Sequence, residues 1–581
     1  MDHTRRQFLQ AVGTASLAGR LCASAPAQGP EQATPPNIVL VITDDQGYGD
    51  LACHGNPVIQ TPNLDALHGQ SVRMTNFHVA PTCAPTRAGL MTGRNCDRTG
   101  VWHTVMGRSI LRDDEVTVAQ VLAEGGYRTG IFGKWHLGDN YPSRPQDKGF
   151  EEVLIHGGGG VGQGLDYWGN DYFDDTYLHN GVPTPYQGYC TDVFFREAMG
   201  FIETNRDRPF FAYIPTNAPH GPYNVDAKYS QPYLDMGVPE STARFYGMIT
   251  NIDENVGRLV AHLDRLGLAD NTILIFMTDN GTSEPGFNAG LRGRKGSEYE
   301  GGHRVPCFIR WPKGNLVPVG TDIDRLAANV DLLPTLAELC GLQPPAGVKL
   351  DGKSLVPLLR GQAPDWPDRV LITDSQRIEY PEKWRQSAVM TERWRLINGK
   401  ELYDIRADPG QEHDLAAEHA DVVAELREEY DRWWEELRPT FDDYCEIVVG
   451  SDAENPSRLG AHDWHEVFPP WNQTHILEGQ IANGFWAVRV AQAGEYEITL
   501  RRWPEEANAP ITAALPGGVA IAAHTARLQI ADVDVEQPVP EGATGVTFTV
   551  RLPAGDARLQ TWFVNDAGED RGAYYVYVKR D

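Results

Sequence analysis

Residues 37–45 read NIVLVITDD, a nearly uninterrupted apolar run that ends in two aspartates. Such a run is typical of a strand buried on both faces, as the strands of parallel sheets are. A second run of the same kind, TILIFMTDN at residues 272–280, ends in an aspartate and an asparagine. Because ligands of open α/β sheets bind at the carboxyl ends of the strands, we expect these two polar ends to converge at one edge.

The sequence around these two runs alternates between strand and helix patterns. Further strands are predicted at residues 128–132, 210–214 and 306–311, and helices from Thr61-Pro62 onward, at 117–123 and at 243–266. Alternation of this kind predicts an α/β domain, residues 37–365, with a mostly parallel central sheet sandwiched by helices.

The pattern changes after residue 365. Residues 366–440 predict a small α+β subdomain, with strand-like pieces near Val370 and Trp394 and a charged helix at 421–437. Residues 444–581 then turn β-like.

Clean alternation of apolar and polar residues at 495–500, 546–550 and 575–578 predicts an appended antiparallel β-sandwich-like domain. For its tryptophans Trp486, Trp503 and Trp562 we favour a structural role, because buried sandwich tryptophans are common. Sugar binding by this domain is the alternative.

The first 27 residues have the features of an export signal. Residues 4–9, TRRQFL, resemble a twin-arginine motif, an apolar stretch follows, and small residues at 23–27 offer cleavage positions. We therefore expect export to the periplasm or the medium. No apolar stretch is long enough to predict a transmembrane helix.

Composition narrows the function classes. A formal net charge of −28 over 581 residues disfavours nucleic-acid binding, which needs a basic surface. The eight cysteines lack the paired spacing of a zinc site, and their spacing fixes no disulfide pairing.

The most specific motif is PTCAPTRAGLMTG at residues 81–93, which contains C-x-P-x-R followed by a short apolar helix. It resembles the signature of the type I sulfatases, members of the alkaline-phosphatase-like superfamily. The resemblance implies that a formylglycine-generating or sulfatase-maturing enzyme oxidises Cys83 to formylglycine (3-oxoalanine).

Further segments resemble the same family and occur in its order. They are TDDQGYGD at 43–50, GKWHLG at 133–138, NAPH at 217–220, TDNG at 278–281, and KG at 295–296 followed by EGGHRVP at 300–306. The resemblance spans residues 37 to about 360. It implies an alkaline-phosphatase-like fold and hydrolysis of sulfate monoesters.

The resemblance also assigns a metal site. The hydrated side chain of residue 83 would bind one Ca²⁺ together with Asp44, Asp45, Asp279 and Asn280. Carboxylate and amide oxygens are ligands that Ca²⁺ prefers, although Mg²⁺ suits the same ligand types.

The net negative charge of the protein would repel an anionic substrate at long range. Because salt screens such long-range charge, a local cationic pocket can dominate, and the hypothesis requires one. By resemblance, Arg87 pairs with the residue-83 diol and the carboxylates, while Lys134 and Lys295 hold the sulfate oxygens. His136 would take the proton of the second hydroxyl. His220, with Lys295, would protonate the leaving oxygen.

Other side chains are candidates for leaving-group contacts: Trp168, Asp171, His103 and His303. The expected substrate is a sulfated carbohydrate or an aryl sulfate. Two alternatives stay open: a phosphonate or phosphate-ester hydrolase on the same fold, and a glycan-binding protein without catalysis.

Overall fold

A ten-stranded sheet organises the first part of the chain. The structure, a computed structural model, describes residues 35–581, so the predicted export signal lies outside the described residues. The strands of this part are β1 (Asn37–Thr43), β2 (Val72–Met74), β3 (Phe77–His78), β4 (Arg128–Lys134), β5 (Glu152–His156), β6 (Thr176–His179), β7 (Val182–Pro185), β8 (Phe210–Pro215), β9 (Thr272–Thr278), β10 (Cys307–Arg310), β11 (Asp322–Ile323) and β12 (Ala327–Ala328). Its α-helices are α1 (Pro62–Gly69), α2 (Cys83–Thr92), α3 (Val118–Glu124), α4 (Cys190–Thr204), α5 (Ala227–Asp235), α6 (Glu240–Arg265), α7 (Glu300–His303), α8 (Leu332–Leu339) and α9 (Val356–Leu359).

The strand order of the sheet is β11-β2-β10-β9-β1-β8-β4-β5-β6-β7. Its central strands β9, β1, β8, β4 and β5 run parallel to one another. Antiparallel pairing begins only at β10 on one side and β6 on the other. The prediction of a mostly parallel central sheet is therefore confirmed.

Strand β1 is buried on both faces. Ile38, Leu40 and Ile42 pack into a core formed with α2, α3 and α8. Val39 and Val41 point to the opposite face and pack with α1, α4 and α6. Helices on both faces explain why the strand is apolar throughout rather than alternating.

A second, smaller sheet follows in the chain. It consists of β13 (Leu371–Asp374), β14 (Ser387–Met390), β15 (Trp394–Ile397) and β16 (Glu401–Asp404), all antiparallel. The helix α10 (Ala420–Leu437) packs Leu426 and Tyr430 against Val389 and Leu396 of this sheet. This arrangement is the predicted small α+β subdomain.

Two further sheets lie at the carboxyl end of the chain. Their strands are β17 (Ile447–Val449), β18 (Ser457–Gly460), β19 (Phe485–Val490), β20 (Gly494–Arg501), β21 (Thr525–Ile530), β22 (Val533–Pro538), β23 (Val546–Leu552), β24 (Gly555–Val564), β25 (Asp570–Arg571) and β26 (Tyr575–Arg580), and the short helix α11 (Gln473–Leu477) precedes β19. One sheet has the order β17-β19-β24-β21-β22, with β25 on β24, and the other β18-β26-β20-β23. Side chains of both sheets share one apolar core, as in a β-sandwich.

The tryptophans of this sandwich differ in their surroundings. Trp486 and Trp503 are fully buried in the shared core. Trp562 is half-buried, and the guanidinium of Arg527 lies 4.7 Å from its ring centroid.

Two features of the described residues bear on the sequence analysis. None of the helices in residues 35–581 combines the length and apolar character needed to cross a bilayer. The seven cysteines of this range are unpaired.

We predict that Gly133→Ala destabilises the central sheet. Gly133 lies in β4 with φ +138°, and a Cβ there would come within 1.9 Å of the Pro215 carbonyl oxygen of β8. Because the obstacle is backbone, the cost should be roughly 3 kcal/mol or more in the free energy of unfolding. Urea unfolding of the two proteins measures this difference.

Gly200→Ala is the matched control. It lies in α4, and within the described part of the chain the added Cβ meets no atom closer than 4 Å beyond its chain neighbours and the backbone of its own helix. We expect it to be neutral or stabilising by up to about 1 kcal/mol, because alanine favours helices. Equal stability of Gly133→Ala and the unchanged protein would contradict the prediction.

Candidate active site

The carboxyl ends of β1 and β9 form one acidic edge. The two strands pair in parallel with Thr43 opposite Thr278, so the residues that follow them lie side by side. The backbone N–H of Asp45 donates to Asp279 Oδ1 at 3.1 Å, and Asn280 Nδ2 donates to Asp45 Oδ1 at 2.9 Å. The strand register thus brings together the two polar ends, as expected from the sequence.

Cys83 is the first residue of α2. The helix is buried along its whole length, and the Cys83 side chain is 2% exposed. The first N–H groups of a helix lack intrahelical partners and carry the positive end of its dipole. An anion held beside Cys83 would therefore be favoured.

Arg87, one turn after Cys83, joins α2 to the acidic edge. Its Nη2 and Nε donate to Asp279 Oδ2 at 2.8 and 3.2 Å, and its Nη1 donates to the carbonyl of Lys134 at 2.9 Å. Lys134, the last residue of β4, places Nζ 2.6 Å from Asp44 Oδ2. These four charged side chains have no exposed surface, so each charge depends on its partner.

Lys295 and His220 lie beside Asp45, the second aspartate after β1. Nζ of Lys295 lies 2.6 Å from Oδ1 of Asp45, and Nε2 of His220 lies 3.8 Å from its Oδ2. Burial alone would lower the pKa of Lys295, but Asp45 raises it above its ordinary value. Burial, together with the charge of Lys295, lowers the pKa of His220 to about 4. At neutral pH Lys295 is therefore charged and His220 neutral.

His136 follows β4 in the left-handed region, with φ +62°. Its Nε2 lies 2.8 Å from the carbonyl oxygen of Thr104, which can only accept, so Nε2 carries the ring proton. Burial and the charge of Lys134 hold its pKa well below the ordinary range. The buried Nδ1 has no hydrogen-bond partner among residues 35–581 and is free to accept a hydrogen bond.

The acidic edge fits a divalent cation. Asp44 Oδ1 and Asn280 Oδ1 are buried without a hydrogen-bond partner in the described part of the chain. Burial and the neighbouring Asp44 raise the pKa of Asp279 to about 7, which reflects crowding of negative charge. With Asp45, these residues present an oxygen-only donor set of the kind that hard cations such as Ca²⁺ prefer.

A cavity of about 390 Å³ opens above these groups. Its wall consists of Cys83, His103, Thr104, Val105, His136, Gly159, Gln163, His220, Lys295, Arg377, Phe468 and Trp471. Arg87 and Lys134 lie outside this wall and bond to the carboxylates of Asp279 and Asp44. Of the four further candidates for leaving-group contacts, only His103 belongs to the wall.

The other three expected contacts lie elsewhere. His303 is buried, with Nδ1 2.9 Å from Nδ1 of His78. Trp168 packs against Trp503 of the sandwich, with ring centroids 5.2 Å apart. Asp171 accepts a hydrogen bond from Asn224 through its backbone carbonyl.

Several wall residues were not expected from the sequence: Thr104, Val105, Gly159, Gln163, Arg377, Phe468 and Trp471. Two features of the sequence point to some of them. Gly159 and Gln163 lie in a long irregular stretch, residues 156–168, of the kind that often forms a pocket rim, and Phe468 and Trp471 flank two prolines in the segment FPPW. Arg377 follows no motif, and its place in the wall depends on how the smaller sheet packs.

Two family models and several known proteins match this chain. The family model described as Sulfatase matches residues 36–342, and the model described as N-sulphoglucosamine sulphohydrolase, C-terminal, matches residues 294–436. Human arylsulfatase A is 35% identical over 394 residues, which cover 59% of this chain and 73% of that protein. Mouse N-acetylgalactosamine-6-sulfatase is 31% identical over 385 residues, 61% of this chain and 70% of that protein. The crystal structure of Ps i-CgsB in complex with k-i-k-neocarrahexaose superposes with a TM-score of 0.65 at 29% identity and covers 71% of this chain and 95% of that one.

A buried polar network supports the segment that carries Lys295. Glu300, the first residue of α7, accepts a hydrogen bond from Arg395 Nε at 2.6 Å, and neither side chain has exposed surface. Arg395 also donates to Asn76 Oδ1 at 3.0 Å. Burial alone would raise the pKa of Glu300, but Arg395 holds it below its ordinary value.

We predict that Arg395→Ala lowers the free energy of unfolding by about 3 kcal/mol, because it removes the buried partner of Glu300 at 2.6 Å and leaves the longer ion pair with Arg304, at 3.5 Å. The ion pair stabilises the fold above pH 4.5, the ordinary pKa of glutamate, and this contribution is lost as the pH falls further. The difference from the unchanged protein, measured by denaturant unfolding, should therefore shrink in acid.

Arg393→Ala is the control, since Arg393 pairs with Asp404 but is 52% exposed. Its cost should stay below about 1 kcal/mol. Similar losses of unfolding free energy in both variants would show that the buried ion pair stabilises the fold no more than the exposed one.

Proposed function

The chain belongs to the sulfatase family, and we propose that it hydrolyses sulfate monoesters of carbohydrates, using a formylglycine made from Cys83 and one bound Ca²⁺. The observation that carries the proposal is the composition of one cavity wall, which contains Cys83, His136, His220 and Lys295. A potential nucleophile, two histidines and a charged lysine thus face the same space.

The encoded thiol of Cys83 is not the proposed nucleophile. Hydrated formylglycine would supply a geminal diol. One hydroxyl, losing its proton to Asp279, would bond to sulfur as the bond from sulfur to the leaving oxygen breaks. Loss of the other hydroxyl's proton would restore the aldehyde and break the C–O bond to sulfate. Arg87, bonded to Asp279, fixes the start of α2 against the acidic edge. Lys295 and, behind the wall, Lys134 supply positive charge for the sulfate oxygens.

The proton transfers are proposed from the positions of the side chains. His220, with Lys295, would protonate the leaving oxygen, because both line the wall and both lie against Asp45. His136 has an unpartnered buried Nδ1, so it can accept the proton of the second hydroxyl when sulfate leaves. One residue therefore acts as acid while another acts as base.

The cation is proposed to be held by Asp44, Asp45, Asp279 and Asn280. When bound, it would lower the pKa of the diol and polarise a sulfate oxygen. The two orphaned oxygens, Asp44 Oδ1 and Asn280 Oδ1, support this assignment.

The names of the similar proteins support a sugar substrate. They include an N-acetylgalactosamine-6-sulfatase and a protein crystallised with neocarrahexaose. Because the chain is also similar to human arylsulfatase A, an aryl sulfate is a further candidate substrate.

The remaining parts of the proposal follow from the sequence. We propose export through the signal at residues 1–27 and oxidation of Cys83 by a formylglycine-generating or sulfatase-maturing enzyme. The proposed domains are 37–365 for catalysis, 366–440 for the C-terminal subdomain and 444–581 for the accessory sandwich.

We predict that Cys83 carries the activity. Mass spectrometry of its peptide from natively produced protein should show a loss of about 18 Da relative to cysteine. Cys83→Ala should lower turnover of nitrophenyl sulfate by roughly 10³-fold or more, because the nucleophile is removed.

Cys340→Ala, at a half-buried cysteine outside the cavity wall, is the control and should keep its activity. A nitrophenyl phosphonate should be turned over more slowly than the sulfate. A dominant phosphonate rate, or full sulfate activity without modified Cys83, would overturn the proposal, and absence of any turnover would favour a glycan-binding protein.

We predict that Ca²⁺ stabilises the folded protein. At a concentration about 100 times its Kd, a cation that binds only the folded state adds about 2.7 kcal/mol, which corresponds to a rise in Tm of several degrees. Differential scanning calorimetry with and without a chelator measures this shift.

Asp44→Asn should abolish the calcium-dependent shift, whereas Asp532→Asn, at an exposed position of the sandwich, should keep it. An equal shift with Mg²⁺ alone would argue for magnesium. No shift with either cation would contradict a metal site at this edge.

A further inference from the structure

The cavity wall is assembled from three separate regions of the chain. Residues around Cys83 and Lys295 come from the part matched by the sulfatase model, and Arg377 comes from the smaller sheet's region. Phe468 and Trp471 come from a segment beyond residue 436, where the second family model ends. The last two regions therefore contribute side chains that the core chemistry does not require.

Hydrogen bonds hold the segment of residues 466–472 at both ends. At its start, Glu379 accepts hydrogen bonds from the backbone N–H of Glu466 at 3.2 Å and from His465 Nδ1 at 2.9 Å. At its end, the carbonyl of Trp471 accepts a hydrogen bond from the N–H of Gly164 at 2.8 Å.

Between these points lie the buried Pro469 and Pro470, whose φ angles are fixed by their rings. The segment is therefore a rigid support for the aromatic rings of Phe468 and Trp471.

These two rings are positioned for a ligand rather than for the core. Phe468 is 59% exposed and Trp471 half-buried, although both belong to the cavity wall. Exposed apolar side chains grouped at a cavity are typical of binding sites. An aromatic face offers a flat apolar surface against which the C–H face of a sugar ring can pack.

Arg377 differs from the other cations of the site. Lys295, Lys134 and Arg87 each bond a buried aspartate, whereas Arg377 is exposed and has no salt bridge to any carboxylate of residues 35–581. The nearby Glu379 already pairs with Arg108, at 3.2 Å.

Arg377 also has φ +45°, a conformation that costs energy for a residue with a Cβ. A strained, unpaired cation in the wall has the properties of a ligand contact.

We propose that this cavity is a subsite for a sugar that carries a second anionic group besides the sulfate that is cleaved. The ring packs against Trp471 and Phe468, and the second sulfate or carboxylate pairs with Arg377. The inference rests on the proposed function and deepens it, because it names a polyanionic saccharide as the substrate class.

Steady-state kinetics on matched substrates tests the charge contact. The pairs are N-acetylgalactosamine 6-sulfate with its 4,6-disulfate, glucosamine 6-sulfate with its 2-N,6-disulfate, and a 6-sulfated disaccharide with and without a uronic carboxylate. In at least one pair the unchanged protein should show a kcat/KM about tenfold higher for the member with the additional anion. Arg377→Ala should remove that preference, and Arg360→Ala, at an exposed arginine outside the wall, should keep it.

Variants of Trp471 and Phe468 test whether these rings pack against the sugar. Trp471→Ala and Phe468→Ala should raise KM for sugar sulfates about three- to tenfold with a smaller change in kcat, because stacking is lost. Trp471→Phe should restore most of the affinity, and Trp562→Ala should behave like the unchanged protein. Phe468 is exposed, so its variant should keep the Tm of the unchanged protein.

The outcomes separate the two proposals. If nitrophenyl sulfate is turned over but no pair shows a preference, or Arg377→Ala lowers both members of a pair equally, the subsite is wrong and the sulfatase assignment stands. Unchanged KM values in both aromatic alanine variants also overturn the subsite. If protein with oxidised Cys83 hydrolyses no sulfate ester, both proposals fail.

Discussion

The arrangement of the site depends on three ion pairs at the carboxyl edge of the central sheet. The parallel register of β1 and β9 forces Asp44, Asp45 and Asp279 into one buried cluster. Uncompensated carboxylates would be too costly there, so each is matched by a cation from another element: α2, the end of β4 and the segment before α7. The charged side chains of the site are therefore also contacts between the secondary-structure elements that surround it.

This clustering bears on how a protein of net negative charge can bind an anionic ester. The chain carries a net charge of −28, yet Arg87, Lys134 and Lys295 are gathered within one buried region. Charges in a buried, water-poor site interact more strongly than screened surface charges. Because Asp44, Asp45 and Asp279 balance these three cations, net positive charge beside an anionic ester comes from the proposed Ca²⁺ and from Arg377.

The carboxyl-terminal part of the chain completes the cavity. It packs a shared core of its own, with Trp486 and Trp503 inside, and so has the structural role favoured by the sequence for those residues. The segment around Phe468 and Trp471 leaves that core and reaches the wall that contains Cys83. The residues proposed for the chemistry lie before residue 365, while the cavity wall also contains Arg377, Phe468 and Trp471 from the two later regions.

The α/β architecture and the motif around Cys83 could be predicted from the amino-acid sequence. Strands buried on both faces are continuous apolar runs, so β1 and β9 could be recognised, and the rules of parallel sheets place their polar ends at one edge. The motif around Cys83 is contiguous, so it could be recognised without knowledge of the fold. The three-dimensional packing was needed to show which charges pair, that His303 and Trp168 lie away from the cavity, and that Arg377 and Trp471 line it. The physical reason is that these contacts join residues far apart in the chain, through loop packing that no local periodicity encodes.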